Sequence, residues 1–171
     1  MSNIWFINLV IENTIFILIF TVSFVLRIIG INFGLPHLYH QDEPIVVNHA
    51  LSIGVGGWNT HFFVLPPFCA YLLFVSYGVT YLIGHVSGLF LDKQAFAVSF
   101  FNDPSLFYII GRVLLGVLFG TATVAVLYQM GKKWFSSQVG LWAALLLGIS
   151  SIHVQHSHYI YADVPLALIT T

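Results

Sequence analysis

The sequence Leu35-Pro-His-Leu-Tyr-His-Gln-Asp-Glu-Pro44 is a polar loop that opens directly after the first long apolar run of the chain, residues 4–31. Asp42 and Glu43 are conspicuous in this loop, because only 6% of all residues are charged. Pro44 ends any preceding helix and suits the first turn of a new one, where the helix dipole favours negative charge. The two acids are therefore either helix-capping groups or a reactive carboxylate pair beside a membrane.

The composition decides the class of protein. The chain has 171 residues, of which 58% are hydrophobic, whereas a soluble domain carries about 25% charged residues. These values predict an all-α polytopic membrane protein that is surrounded by membrane lipids. The net charge of −1 gives no electrostatic case for a nucleic-acid partner.

The apolar runs predict how the chain is arranged in the bilayer. A spanning helix needs about 20 apolar residues, and we predict transmembrane helices over 4–31, 106–130 and 138–155. Residues 32–105 are predicted to form the first external loop with interfacial helices, including an apolar run at 68–91 that lies along or dips into the membrane. Residues 164–171 start another helix, so we expect residues 1–171 to be a single, truncated transmembrane module.

The orientation follows from the strongest basic cluster. The positive-inside rule places Lys132 and Lys133 in the cytoplasm, and counting crossings then places both Asp42 and Asp163 outside. The opposing scheme makes 68–91 a true span and puts the two aspartates on opposite faces. We favour the first scheme, which describes a multi-pass protein of the plasma or inner membrane with its site on the external face.

Two further features concern helix packing. Gly116 and Gly120 form a G-x-x-x-G pair that permits close helix approach. Arg27, near the far end of the first run, is expected to extend to the interface or to pair with a lipid phosphate.

Polar residues near the end of the chain suggest chemistry. Asp163 follows an apolar run and precedes Pro165, which suits either a helix N-cap or an active-site acid. His153 and His156 could share a helix face, but His158 would not join them, and a metal site needs further ligands. We therefore predict no certain cofactor or metal ligand and regard hydrogen-bonding histidines as the alternative, with a divalent metal left possible.

The order of these segments resembles a known family. The segments are a first helix, His40-Gln-Asp-Glu-Pro44, Gly57-Trp-Asn-Thr-His-Phe-Phe-Val-Leu-Pro-Pro67, Gly111-Arg112 and Ser157-His-Tyr-Ile-Tyr-Ala-Asp-Val-Pro165. Together they resemble the N-terminal module of the polyprenyl-phosphate-dependent glycosyltransferases of family 39, which are protein mannosyltransferases and aminoarabinose-transferase-like enzymes of the GT-C fold.

The resemblance implies a function and a set of site residues. It implies transfer of a sugar from a polyprenyl-phosphate donor to a lipid, glycan or protein hydroxyl at the external membrane face. The expected catalytic residues are Asp42, Glu43 and Asp163, and the expected substrate-binding residues are His40, His61, Arg112, His158 and Tyr159. We expect the truncated module to be inactive alone.

Two other classes of function fit the same residues. A transporter or channel segment could use the histidines and acids as a proton relay. A structural membrane subunit could use the acids only to cap helices.

Overall fold

The computed structural model describes residues 2–59 and 64–171, and all regular structure in that part of the chain is helical. This confirms the all-α class. The helices are α1 (Ser2–Ile28), α2 (Asp42–Gly54), α3 (Pro67–Val86), α4 (Lys93–Asn102), α5 (Ser105–Gly111), α6 (Phe119–Trp134), α7 (Ser137–Gly148), α8 (Ser151–His156) and α9 (Asp163–Thr170). A π-helical stretch, Arg112–Leu118, joins α5 to α6.

Three helices among the described residues are long and apolar enough to cross a membrane: Phe6–Ile28, Pro67–Val86 and Ser105–Trp134. This supports the multi-pass membrane assignment. The first helix ends before residue 31 because the chain turns at Gly30, whose φ of +78° is a conformation that glycine adopts at little cost.

Two predicted segments differ in detail from the helices observed. The run predicted to lie in or along the membrane forms α3, which is also long and apolar enough to span; its in-plane placement stays a prediction. The predicted transmembrane helix 138–155 is divided into α7 and α8, which are 12 and 6 residues long. At 1.5 Å per residue, neither helix alone spans about 30 Å of hydrocarbon.

Contacts at both ends of α1 show that α1 and α6 are antiparallel. Near the start of α1, the carboxylate of Glu12 accepts a hydrogen bond from the Tyr128 hydroxyl and pairs with Lys132. Beyond its far end, the carbonyl of Ile31 accepts a hydrogen bond from Arg112. We call the region around Glu12 and Lys132 the basic end of the bundle, and the region around Ile31 and Arg112 the site end.

Arg27 joins α1 to the last residues of α7. Its side chain is 0% exposed and donates hydrogen bonds to Ser23, to the Gly148 carbonyl oxygen at 3.0 Å and to His153 Nδ1 at 2.9 Å. The carbonyl groups at a helix C-terminus favour a cation. The expectation that Arg27 reaches the interface or a lipid phosphate is therefore wrong, because its guanidinium is buried and hydrogen-bonded inside the bundle.

Gly116 and Gly120 allow another part of the chain to approach closely, as expected. The part that approaches is Ser157, just after α8, rather than a long helix. A methyl group at Gly116 would collide with the Ser157 carbonyl oxygen, and one at Gly120 would collide with the Ser157 hydroxyl. Ser157 itself is completely buried. The absence of side chains at the two glycines therefore leaves room for Ser157, which leads into residues 158–163.

Gly116→Ala should destabilise the protein. The added methyl group must displace the Ser157 backbone, and overpacking of this kind costs about 1–3 kcal/mol. Thermal unfolding of the detergent-purified protein measures the effect. Gly78→Ala is the matched control, since nothing lies within 4 Å of the added methyl group; it should be neutral or slightly stabilising. Equal melting temperatures for the two variants would contradict this account of the packing.

Candidate active site

A buried ion pair lies at the centre of the site end. Glu43 is 0% exposed and Arg112 is 1% exposed. Arg112 Nε donates to Glu43 Oε1 and Arg112 Nη2 donates to Glu43 Oε2, both at 2.8 Å. This two-point geometry is the strong form of an arginine–carboxylate contact.

The same two side chains hold four separate segments together. Arg112 Nη1 also donates to the carbonyl oxygens of Ile31 and Phe33, at 2.9 and 2.8 Å. Glu43 Oε1 accepts a third hydrogen bond, from the backbone N–H of Ile160 at 3.1 Å. The pair therefore fixes the loop after α1, the start of α2, the start of the π-helical stretch and the segment before α9.

These contacts change the roles that the sequence suggests for Glu43 and Arg112. Both side chains are enclosed, and each has its charge compensated by the other. A carboxylate that already accepts three hydrogen bonds has little capacity left to take a proton from a substrate. We therefore propose a positioning role for both residues, in place of the expected catalytic and substrate-binding roles.

Asp42, next to Glu43 in the chain, has a different environment. It is the first residue of α2 and is half-buried. Its backbone N–H donates to His40 Nδ1 at 3.3 Å. Because Nδ1 accepts this bond, the ring proton of His40 belongs on Nε2, which leaves Nε2–H as a donor.

The segment before α9 brings aromatic rings to the same place. The ring of His40 lies 5.0 Å from that of Tyr159 and 5.2 Å from that of Tyr161, measured between centroids. The ring of His156 contacts Tyr161 edge-on at 5.0 Å. The guanidinium of Arg112 is 5.9 Å from the centre of the Tyr159 ring. His40 and Tyr159, both expected in the site, therefore lie together.

Asp163 lies in this cluster as the first residue of α9, with its side chain exposed. Asp163, first as a hydrogen-bond acceptor and then as a negative charge, raises the pKa of Tyr161, with a smaller contribution from the charge of Asp42. The phenol is therefore protonated and a donor at neutral pH. Tyr161 thus lies within the electrostatic reach of both aspartates.

The three neighbouring histidines have separate partners. His153 contacts Arg27 and His156 contacts Tyr161. Both ring nitrogens of His158 face carbonyl oxygens at 2.8 Å, those of Val154 and Ile29. This ties His158 to the end of α1, and we propose a structural role for it in place of the expected substrate contact.

No group of three or more His, Cys, Asp or Glu side chains within residues 2–59 and 64–171 is arranged to hold a metal ion. His61, which was expected to bind substrate, lies outside the described residues.

Comparison with known families identifies the class of protein. The sequence model of the dolichyl-phosphate-mannose-protein mannosyltransferase family matches residues 58–171. The chain belongs to this family. The mannosyltransferase family consists of membrane glycosyltransferases that use a polyprenyl-phosphate sugar donor, which confirms the resemblance and does not favour the transporter alternative. No curated protein and no solved structure matches the chain significantly.

The match includes some of the site residues and not others. Arg112, Tyr159 and Asp163 lie inside the matched range, whereas Asp42 and Glu43 precede it. The ion pair between Glu43 and Arg112 connects the segment of Asp42 and Glu43 to the part of the chain that the family model matches.

Tyr161 was not singled out from the sequence, and His156 was considered only as a member of a metal site. For Tyr161 a signal existed. Residues 160 and 161 lie outside regular structure, between α8 and α9. In an extended chain, neighbouring side chains point to opposite sides. An apolar residue between two tyrosines is expected to point inward, and Ile160 is indeed buried. Tyr159 and Tyr161 then point to the other side, towards the acids.

Glu43→Gln and Asp42→Asn should differ in their effects on stability. Glu43→Gln leaves the buried Arg112 charge uncompensated, and removing one partner of such a pair costs about 3–5 kcal/mol. We expect a large fall in the melting temperature of the detergent-purified protein. Asp42→Asn should melt close to the wild type, because Asp42 has no buried charge partner among the described ion pairs. An unchanged Glu43→Gln melting curve would contradict the positioning role.

Proposed function

We propose that the chain transfers a mannosyl group from a polyprenyl-phosphate donor to an acceptor hydroxyl, at the site end of the bundle. The proposal is carried by the contacts that bring the surroundings of the two aspartates together: the Asp42 N–H donates to His40 Nδ1, and the ring of His40 contacts Tyr161, two residues before Asp163. The family supplies the sugar and the donor class. The name of the family also points to a protein as the acceptor.

The donor's chemistry explains why the site lies at a membrane edge. Its isoprenoid tail stays in lipid while its sugar and phosphate stay at the interface. Three helices of the described residues are long and apolar enough to cross a membrane, and the polar groups at one end of such a bundle can bind the headgroup of the donor.

The reaction is a displacement at the anomeric carbon. The acceptor oxygen forms a bond to that carbon, the bond from the carbon to the phosphate oxygen breaks, and the polyprenyl phosphate leaves with both electrons. The carboxylate of Asp42 accepts the proton of the acceptor hydroxyl. Nε2–H of His40, available because Nδ1 is occupied, donates to a phosphate oxygen of the leaving group.

The other residues of the site either contact the substrates or keep the site in shape. The carboxylate of Asp163, which is exposed, accepts a hydrogen bond from a hydroxyl of the sugar or the acceptor. Tyr159 offers an aromatic surface next to His40. Glu43 and Arg112 touch no substrate in this scheme and fix the position of Asp42.

Replacement of the two aspartates tests the assignment. In membranes that hold the full-length protein, we expect Asp42→Asn to lower transfer of labelled mannose from the polyprenyl-phosphate donor by about 10²–10⁴-fold, the usual contribution of a general base. Asp163→Asn should also lower transfer strongly. Asp103→Asn is the control, because Asp103 is exposed and its acceptor role towards the Ser105 N–H survives in asparagine. Unchanged turnover in both site variants, with expression maintained, would remove these residues from the mechanism.

We also propose that the site end faces the exterior. Lys132 lies at the opposite, basic end, and Lys133 follows it in the last turn of the same helix. The positive-inside rule assigns such an end to the cytoplasm.

Labelling with a membrane-impermeant maleimide tests the orientation in intact cells. His37 and Lys133 are both exposed, and they belong to opposite ends. In a Cys69→Ser background, His37→Cys should be labelled in intact cells, whereas Lys133→Cys should be labelled only after the membrane is opened. The reverse pattern would place the site on the cytoplasmic face.

A further inference from the structure

A groove with a volume of about 330 Å³ lies along α6 at the basic end of the bundle. This volume is within the usual range of ligand pockets, about 300–1,000 Å³. The residues that line the groove all belong to α6: Ala125, Val126, Gln129, Met130, Lys133 and Trp134. The groove is therefore a feature of one helix face, at the end of the bundle that lies away from the candidate active site.

The lining residues lie on the side of α6 that does not pack against other helices. Positions 125, 129 and 133 form one row and positions 126, 130 and 134 the next, because residues four apart on a helix share a face. The opposite side holds Tyr128, which is buried and bonds to Glu12 of α1. It also holds Gly131, which is so close to Gly140 of α7 that an added methyl group would collide. One face of α6 is thus packed inside the bundle, and the groove is on the other.

Lys133 brings a positive charge to one end of the groove. Its neighbour Lys132 is paired with Glu12, whereas Lys133 is exposed and belongs to neither ion pair of the described residues. Trp134, which follows it, is the last residue of a helix long and apolar enough to cross a membrane. Tryptophan is typical of the membrane–water interface. The ammonium group of Lys133 is therefore at about the depth of lipid phosphate groups.

The rest of the groove suits an acyl chain. From Lys133 to Val126 it extends about 10 Å along the helix axis, at 1.5 Å per residue. Apart from Gln129 and Lys133, all the lining residues are apolar or aromatic. A phosphate group bound by Lys133 and a hydrocarbon chain lying on Val126 and Met130 would match both parts of the groove.

A second copy of the chain matches the groove less well. Two copies in one bilayer that are related by a two-fold axis present the same surface to each other. The two Lys133 side chains would then face each other, and like charges repel. An anionic lipid brings the opposite charge to the same position.

We propose that this groove binds one anionic phospholipid of the leaflet at the basic end, with its phosphate on Lys133 and an acyl chain along Val126 and Met130. A zwitterionic lipid is a weaker match, because its own cation competes with Lys133 for the phosphate. The site takes no part in the proposed sugar transfer and does not depend on it. In the proposed orientation this leaflet is the cytoplasmic one, which is the leaflet that carries anionic lipids.

Native mass spectrometry of the detergent-purified full-length protein tests the headgroup. With equal amounts of phosphatidylglycerol and phosphatidylcholine of the same acyl chains, the wild type should retain mainly phosphatidylglycerol. Lys133→Gln should weaken that retention about fivefold, which corresponds to the loss of about 1 kcal/mol of attraction by one lysine, and should leave phosphatidylcholine unchanged. Lys93→Gln is the matched control, since Lys93 is also exposed but lies in α4. Equal retention of phosphatidylglycerol by Lys133→Gln and the wild type would overturn the proposal.

Filling the groove tests whether the lipid is held there. Ala125→Phe keeps Lys133 but places a ring where the acyl chain would lie, so retention of phosphatidylglycerol should fall at least as far as in Lys133→Gln. Ala97→Phe, at an exposed position of α4, is the control and should bind like the wild type. Where Ala125→Phe lowers the melting temperature, Val126→Phe takes its place. Normal retention in a filled variant that folds would mean that Lys133 attracts anionic lipids only as a surface charge, which overturns the proposed site.

Two other occupants would be recognised in the same experiments. Wild-type dimers that disappear in Ala125→Phe, without any preference for phosphatidylglycerol, would show that a second copy fills the groove. Absence of retained lipid in the wild type, with lowered melting temperatures in both filled variants, would show that a segment of the full-length protein covers it. Either result would overturn the proposal.

Discussion

The site depends on the buried contact between Glu43 and Arg112. Charged groups inside a membrane protein are costly unless they pair with one another. Here two charges with exposures of 0% and 1% meet in two-point geometry, and the remaining capacity of the pair is used by the carbonyls of Ile31 and Phe33 and the N–H of Ile160. All the hydrogen bonds of this pair can form only when four chain segments take up these positions relative to one another.

The pair also determines where Asp42 points. Consecutive residues on an α-helix are separated by about 100° around its axis, so an inward Glu43 leaves its neighbour on another side. Asp42 is half-buried and close to His40. Two acids that look equivalent in the sequence thus divide into one that holds the framework and one that is left available at the surface of the site.

Much of this arrangement could be predicted from the sequence, because it depends on local composition. The apolar runs at 4–31 and 106–130 predict two of the three long apolar helices. Lys132 and the Glu43–Arg112 pair lie at opposite ends of α1, and the membrane face of each end stays a prediction. The break in the helix predicted over 138–155 was missed, since the apolar sequence continues through Gly148 into α8. Apolar length alone does not show where a helix is interrupted.

The roles of individual site residues were harder to predict, because they depend on contacts between distant positions. Arg112 and Glu43 are separated by 69 positions, and Glu43 and Ile160 by 117. No local pattern indicates which of two adjacent acids will find an arginine. His158 is similar: its ring nitrogens face Val154 and Ile29, and the second contact joins residues 129 positions apart.

The choice between helix cap and reactive acid can also be resolved in physical terms. The N-cap residues are Gln41 and Ala162, so Asp42 and Asp163 each occupy the first turn of a helix instead. There the helix dipole favours negative charge without requiring the carboxylate to bond to the backbone. A side chain on a helix is also held more precisely than one on a loop. The same position that stabilises α2 and α9 therefore also suits the chemical roles proposed for Asp42 and Asp163, and the stabilising and chemical roles of these acids are compatible.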